Sequence, residues 1–145
     1  MINEFMPNPV GTEPDNEWIE IYNNDTVSVN ITDWKLGDPR ENYTISVDVI
    51  SSRGFRVYYG NDTGIQLSNI ADTVLLYNST GALVDSKSYN STTENSSYMR
   101  LPDGGPWVPS NSTSPPTPGW SNTGMRSSNI LLEIGWNLIS LPLVI

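Results

Sequence analysis

The 145-residue chain contains no cysteine and no histidine. Without cysteine there is no disulfide framework and no thiolate chemistry. A β fold of this length can hold together on its core alone, so the lack of disulfides does not argue against an oxidising compartment. Without histidine the commonest general base and the commonest zinc ligand are missing, and with them any Ser-His-Asp or Cys-His arrangement. Basic residues are scarce as well: seven Lys and Arg stand against sixteen Asp and Glu, a net charge of −9. That balance keeps a domain soluble and repels nucleic acid and anionic lipid, because both associations depend on cationic side chains. No glycine-rich loop of the phosphate-cradling kind is present. Only carboxylate chemistry would remain to an enzyme, and the chain reads as non-enzymatic, with no cofactor and no metal site.

A sustained helical period is also missing, and what replaces it is strand and turn. Short β-rich runs are interrupted by Pro, Gly, Asn and Asp every ten residues or so, roughly the spacing of a sandwich or barrel. Candidate strands run from Ile2 to Met6, Glu17 to Asn23, Val27 to Leu36, Tyr43 to Val49, Gly54 to Tyr59, Thr73 to Asn78, Ala82 to Tyr89 and Tyr98 to Leu101. In the second run Ile19 and Ile21 alternate with Trp18, Glu20 and Tyr22, the pattern of a half-buried strand. Ser79-Thr80-Gly81 reads as a hairpin connection. Such a string packs most economically as antiparallel sheets, face to face. The fold class is all-β, an antiparallel sandwich of two sheets.

The last third changes character. Residues Pro106 to Thr123 are rich in Pro, Ser, Thr and Asn and are expected to be extended and irregular. Residues 1–122 are expected to form the sandwich, 123–129 a linker, and 130–145 the first strand of a truncated following domain. The apolar run from Ile130 to Ile145 is too short for a membrane helix and is interrupted by Glu133, Gly135 and Pro142, so no membrane insertion is expected of it.

Asn-x-Ser/Thr occurs eight times, at Asn24, Asn30, Asn42, Asn61, Asn78, Asn90, Asn95 and Asn111, never with proline in the middle. Sixteen Asn among thirty Ser and Thr would give roughly three by chance. The excess points to a glycosylated exterior and to secretion. Asn3, Glu4 and Pro7 interrupt any apolar run at the start, so a signal segment is expected to have lain upstream, in a larger protein.

Several motifs occur together in one order: Ile2-Asn3-Glu4 with Pro7-Asn8-Pro9, then Glu17-Trp18-Ile19-Glu20-Ile21-Tyr22-Asn23, then Asp33-Trp34-Lys35-Leu36. They are followed by Gly54-Phe55-Arg56-Val57, Asp72-Thr73-Val74-Leu75-Leu76 and Val84-Asp85-Ser86. Arg100-Leu101-Pro102-Asp103-Gly104 with Trp107 and Thr117-Pro118-Gly119 completes the set. Over residues 2 to about 122 this order resembles the lamin-tail domain family in its secreted archaeal and bacterial form. Asp33 stands where the family usually has Gly, and Ser52-Arg53 where Pro is common. The resemblance implies an immunoglobulin-like sandwich and no activity. The family's nuclear members associate with chromatin. An acidic chain whose basic residues are scattered is not expected to do so.

Three sets of side chains are singled out. Glu4 and Glu20 face each other if the first two strands form a hairpin centred near Thr12, and Arg100 is the expected counterion of that cluster. Trp18 and Tyr22, opposite Ile19 and Ile21, are the candidate ligand face, while Trp34 and Trp107 are expected to be buried. Asp15, Glu17, Asp33, Asp38, Glu41 and Asp62 sit on or beside loops without the cadence of a calcium site. The expected function is a non-catalytic structural or interaction module at the cell surface. It would space, anchor or dock neighbouring domains, with other extracellular domains or surface proteins as partners. The alternative is a carbohydrate-binding accessory domain of a secreted hydrolase.

Overall fold

The computed structural model describes residues 1–111 and 113–123. The strand expected over 130–145, and all of the expected linker but Thr123, lie outside the described residues.

Two antiparallel sheets enclose the core. The first contains β1 (Ile2–Met6), β2 (Trp18–Tyr22), β7 (Phe55–Tyr59), β10 (Tyr98–Arg100) and β11 (Trp107–Pro109), in the order β11-β10-β1-β2-β7. The second contains β4 (Lys35–Gly37), β5 (Asn42–Thr44), β8 (Asp72–Tyr77) and β9 (Leu83–Tyr89), in the order β5-β4-β8-β9. A short ribbon of β3 (Val29–Asn30) and β6 (Val49–Ile50) is added to this pair. The architecture is the all-β antiparallel sandwich that the strand pattern predicts, in the immunoglobulin-like form that the resemblance implies. Between the sheets lie Ile2, Phe5, Ile19 and Ile21 from one side and Leu36, Val74, Leu76 and Tyr89 from the other. Each such side chain contributes about 1.5–3 kcal/mol on burial. Phe5 is the hub of the aromatic part, with ring centroids of Tyr98, Tyr89 and Trp107 at 5.4, 5.5 and 5.7 Å.

Two of the long strands expected from sequence are each broken in two. The run from Val27 to Leu36 turns a corner after β3, where the Asn30 side chain accepts a bond from Thr32 N at 2.9 Å and Asp33 adopts φ +63°. That left-handed conformation ends the extended chain and explains why glycine suits the position. Asp is among the few other residues that tolerate it. The corner moves the chain from the ribbon into the second sheet. The run from Tyr43 to Val49 also divides, leaving the ribbon's second strand separate from β5. After β7 the chain makes one helical turn, α1 (Gly60–Thr63), stopped by Gly64 at φ +76°. Gly60 is required there, since a Cβ would lie 2.1 Å from Pro14 O.

The hairpin at residues 79–81 forms as expected between β8 and β9. Asn78 Oδ1 accepts from Thr80 N at 3.1 Å and Ala82 N at 2.9 Å, and Gly81 takes φ +83°. The region after Pro106 is less irregular than its composition suggests. β11 forms within it because Trp107 to Pro109 pair with Arg100 to Tyr98, and the chain then turns back over the first sheet.

Candidate functional site

The hairpin of β1 and β2 places Glu4 opposite Glu20, with the register shifting between Ile2 and Glu4. Both carboxyl groups are fully buried, and both point to the outer side of the sheet, away from the sandwich core. The chain after β11 lies over them. Glu4 accepts from Thr117 N at 3.2 Å, from Thr117 Oγ1 at 2.9 Å and from Ser97 Oγ. Glu20 accepts from Gly119 N at 2.7 Å and from Asn3 Nδ2 at 2.9 Å. Asp103 continues the layer, accepting from Asn3 Nδ2 at 2.9 Å and Asn122 N at 2.8 Å. Asn122, itself buried, donates to Arg100 O at 3.1 Å. Residues 113–122 are therefore a strap bound to the sheet by side-chain acceptors, where a further strand would have used backbone ones.

Burial is the main force on these acids. It pushes Glu20 up to about 8 and raises Glu4, against the bonds from Ser97 and Thr117 that pull the other way. The hydrogen-bond count agrees. The single hydroxyl proton of Thr117 faces two acceptors, Glu4 Oε2 and Asn122 Oδ1. A proton on Glu4 donated to Thr117 Oγ1 satisfies both. Like-charged groups opposed across a hairpin are relieved by the same protonation. Among the described residues both acids are covered, without the open space between them that acid–base cleavage of a glycoside requires. The pair holds the strap down.

Arg100 is not their counterion. It lies on the opposite, inner side of the sheet, 3.2 Å from Asp85 Oδ2, donates to Ile2 O at 2.8 Å, and sits 4.5 Å from the centre of the Trp107 ring. The β10 register decides this. Met99 pairs with Glu4, which sends the neighbouring Arg100 side chain inward.

Trp18 and Tyr22 do not form an exposed face either. They are 6% and 7% exposed, and all five residues of β2 are buried. β2 is flanked on both sides, by β1 and β7. Trp18 lies between Met6 and Tyr59 in register, and Tyr22 stacks on Phe55 with centroids 4.9 Å apart. Trp34 and Trp107 are half-buried, packed at the margin of the core. Among the described residues the most exposed aromatic is Trp120, on the strap, with 70% of its surface open, followed by Tyr59 at the end of β7.

The loop acids have local work. Arg40 is 2.5 Å from Asp38 and 2.8 Å from Asp72, and donates to Gln66 O at 2.7 Å, joining the β4–β5 turn to the segment before β8. Burial would raise Asp38. Bonds from Glu41 N and Arg40 outweigh it and hold the carboxyl below its usual value. Glu17 is buried and accepts from Leu67 N at 2.6 Å, and burial lifts it to about 7. Among the described residues no group of three acids is placed to hold a metal ion, and no helix is long and apolar enough to cross a membrane.

One open groove of about 280 Å³ lies beside the end of β2, lined by Ile21, Tyr22, Val29, Ile31, Trp34 and Ile50, with Asn24 and Asp25 among its polar residues. Asn23 builds its wall, donating to Val27 O at 2.8 Å and Ser51 O at 3.0 Å. Sequence reasoning missed this groove, because its lining comes from five separate segments.

A family model described as Lamin Tail Domain matches residues 1–91. No curated protein and no solved structure matches the chain.

Proposed function

The chain belongs to the lamin tail domain family, and on that footing we propose that it is a non-catalytic interaction module of an extracellular or cell-surface protein. Its work is to space, anchor or dock neighbouring domains. The observation that carries the reading is the use made of the buried acids. Glu4, Glu20 and Glu17 each hold backbone amides of distant segments, Thr117, Gly119 and Leu67, instead of facing a cavity. The charge of −9 and the eight sequons support an exterior in contact with solvent and with other proteins, away from nucleic acid.

Lys35 gives the reading a direct probe. It is exposed on β4, on the outer face of the four-stranded sheet. Amine cross-linking of the whole natural protein on intact cells, followed by mass spectrometry, should join Lys35 to a neighbouring domain or surface protein. External protease should release the domain from those cells. A protein that stays protected inside the cell, or that turns over a substrate through this domain, contradicts the proposal.

One observation favours a second reading. An indole as open as that of Trp120 is suited to stacking on a sugar ring, so the carbohydrate-binding alternative moves from Trp18 and Tyr22 to the strap. Binding on a glycan array that is lost in Trp120→Ala would establish it, and an array without signal would remove it.

A further inference from the structure

The described asparagines divide cleanly by the use of their side-chain nitrogens. Among the described residues, the six that are not in sequons all donate through Nδ2. Asn3 donates to Glu20, Asn8 to Thr92, Asn16 to Val10 O, Asn23 to Val27 O, Asn69 to Glu13 and Asn122 to Arg100 O. The eight in sequons donate to no described residue through that atom, although several accept through Oδ1. Asn78 and Asn111 each accept the hydroxyl of the Thr two residues on, both at 2.7 Å, and Asn30 accepts Thr32 N. Exposure alone does not produce the division. Asn16 and Asn69 are exposed, yet their nitrogens are bonded, at 3.3 and 2.9 Å. Seven of the sequon side chains are exposed and Asn78 is half-buried.

We propose that these eight asparagines are N-glycosylation sites whose amide nitrogens the described residues leave free for the purpose. The inference rests on the extracellular reading above. The donor class is an oligosaccharide activated on a polyprenyl phosphate, transferred by a membrane glycosyltransferase. The new bond joins Asn Nδ2 to the anomeric carbon of the first sugar, and the bond from that carbon to a phosphate oxygen breaks. One amide proton passes to a base of the transferase, and the lipid phosphate leaves with the bonding electron pair. Every contact through Oδ1 survives, so the turn at Asn78 keeps its geometry after modification. The same substitution at Asn3, Asn23 or Asn122 would remove donors from buried bonds.

The test is to direct the full chain through a glycosylating secretory pathway with an added signal segment. Sites are then read by enzymatic deglycosylation in labelled water, which marks each occupied Asn as isotopically tagged Asp. Most of the eight should be tagged, and the glycosylated chain should melt no lower than the same chain made in a cytoplasm without the pathway. Tagging at half or fewer of the sites, or a glycosylated chain with a lower melting temperature, overturns the proposal. Because the pathway is imposed, failure here leaves the extracellular reading intact. That reading is tested separately by protease treatment of the natural cells.

Discussion

β2 alternates in sequence and β9 alternates in exposure, yet one is buried along its whole length and the other is mostly open. β2 lies inside the five-stranded sheet, with the strap against that sheet's outer face at Glu4 and Glu20. β9 is an edge strand whose outer face, with Val84, Ser86 and Ser88, meets solvent. The difference teaches that alternation reports which residues share a face, and says nothing of what covers it. On the first sheet the cover is a Pro-rich segment with no strand pattern of its own, held by buried acids.

If the strap is an integral layer, the largest effect should come from Glu4→Ala, which orphans the Thr117 amide and the Ser97 hydroxyl in a dry site. The cost is expected to be about 3 kcal/mol by urea denaturation. Glu4→Gln, which keeps the shape and one donor, should cost about a third of that.

Raising the pH should weaken the strap at Glu20 and, separately, the bond from Leu67 N to Glu17. The folded values of Glu20 and Glu17, about 8 and about 7, lie above the ordinary value of 4.5. The folded state therefore binds more protons than the unfolded chain between those limits. The stability from these groups is fully present below about pH 4.5 and is lost as pH rises through 7 and 8. The loss should be on the order of a few kcal/mol, visible as a falling melting temperature from pH 5 to 9. A melting temperature that rises over that range would mean the acids are ionised and favourably paired.

Thr117→Val keeps the backbone bond and removes only the hydroxyl, so about 1–2 kcal/mol is expected. On the uncovered side Ser86→Lys should change stability by no more than about 0.5 kcal/mol. A cost at Ser86 equal to that at Thr117 would abolish the distinction between the two faces.

Much of this was legible in the chain. The bounds of β1, β7, β8 and β9 follow from runs between turn residues. The Glu4–Glu20 opposition follows from the hairpin centre. The position where Asp33 replaces Gly is the one that takes a left-handed φ. What escaped depends on contacts between distant segments. The partner of Arg100 is decided by which side of β10 faces inward, and sequence spacing points equally well to the nearby acids on the other side. The burial of Trp18 and Tyr22 depends on both neighbouring strands of β2. The strap is irregular, as its composition predicts, and its attachment escapes the sequence because its bonds run from amides to side chains more than ninety residues away.

Native-state hydrogen exchange at the Thr117 and Gly119 amides tests the strap most directly. These two groups bond to Glu4 and Glu20, so they should exchange only through near-global unfolding, as slowly as amides of β1 and β2. Exchange at the rate of an unstructured peptide, with β1 and β2 still protected, would show that the strap is not part of the folded domain.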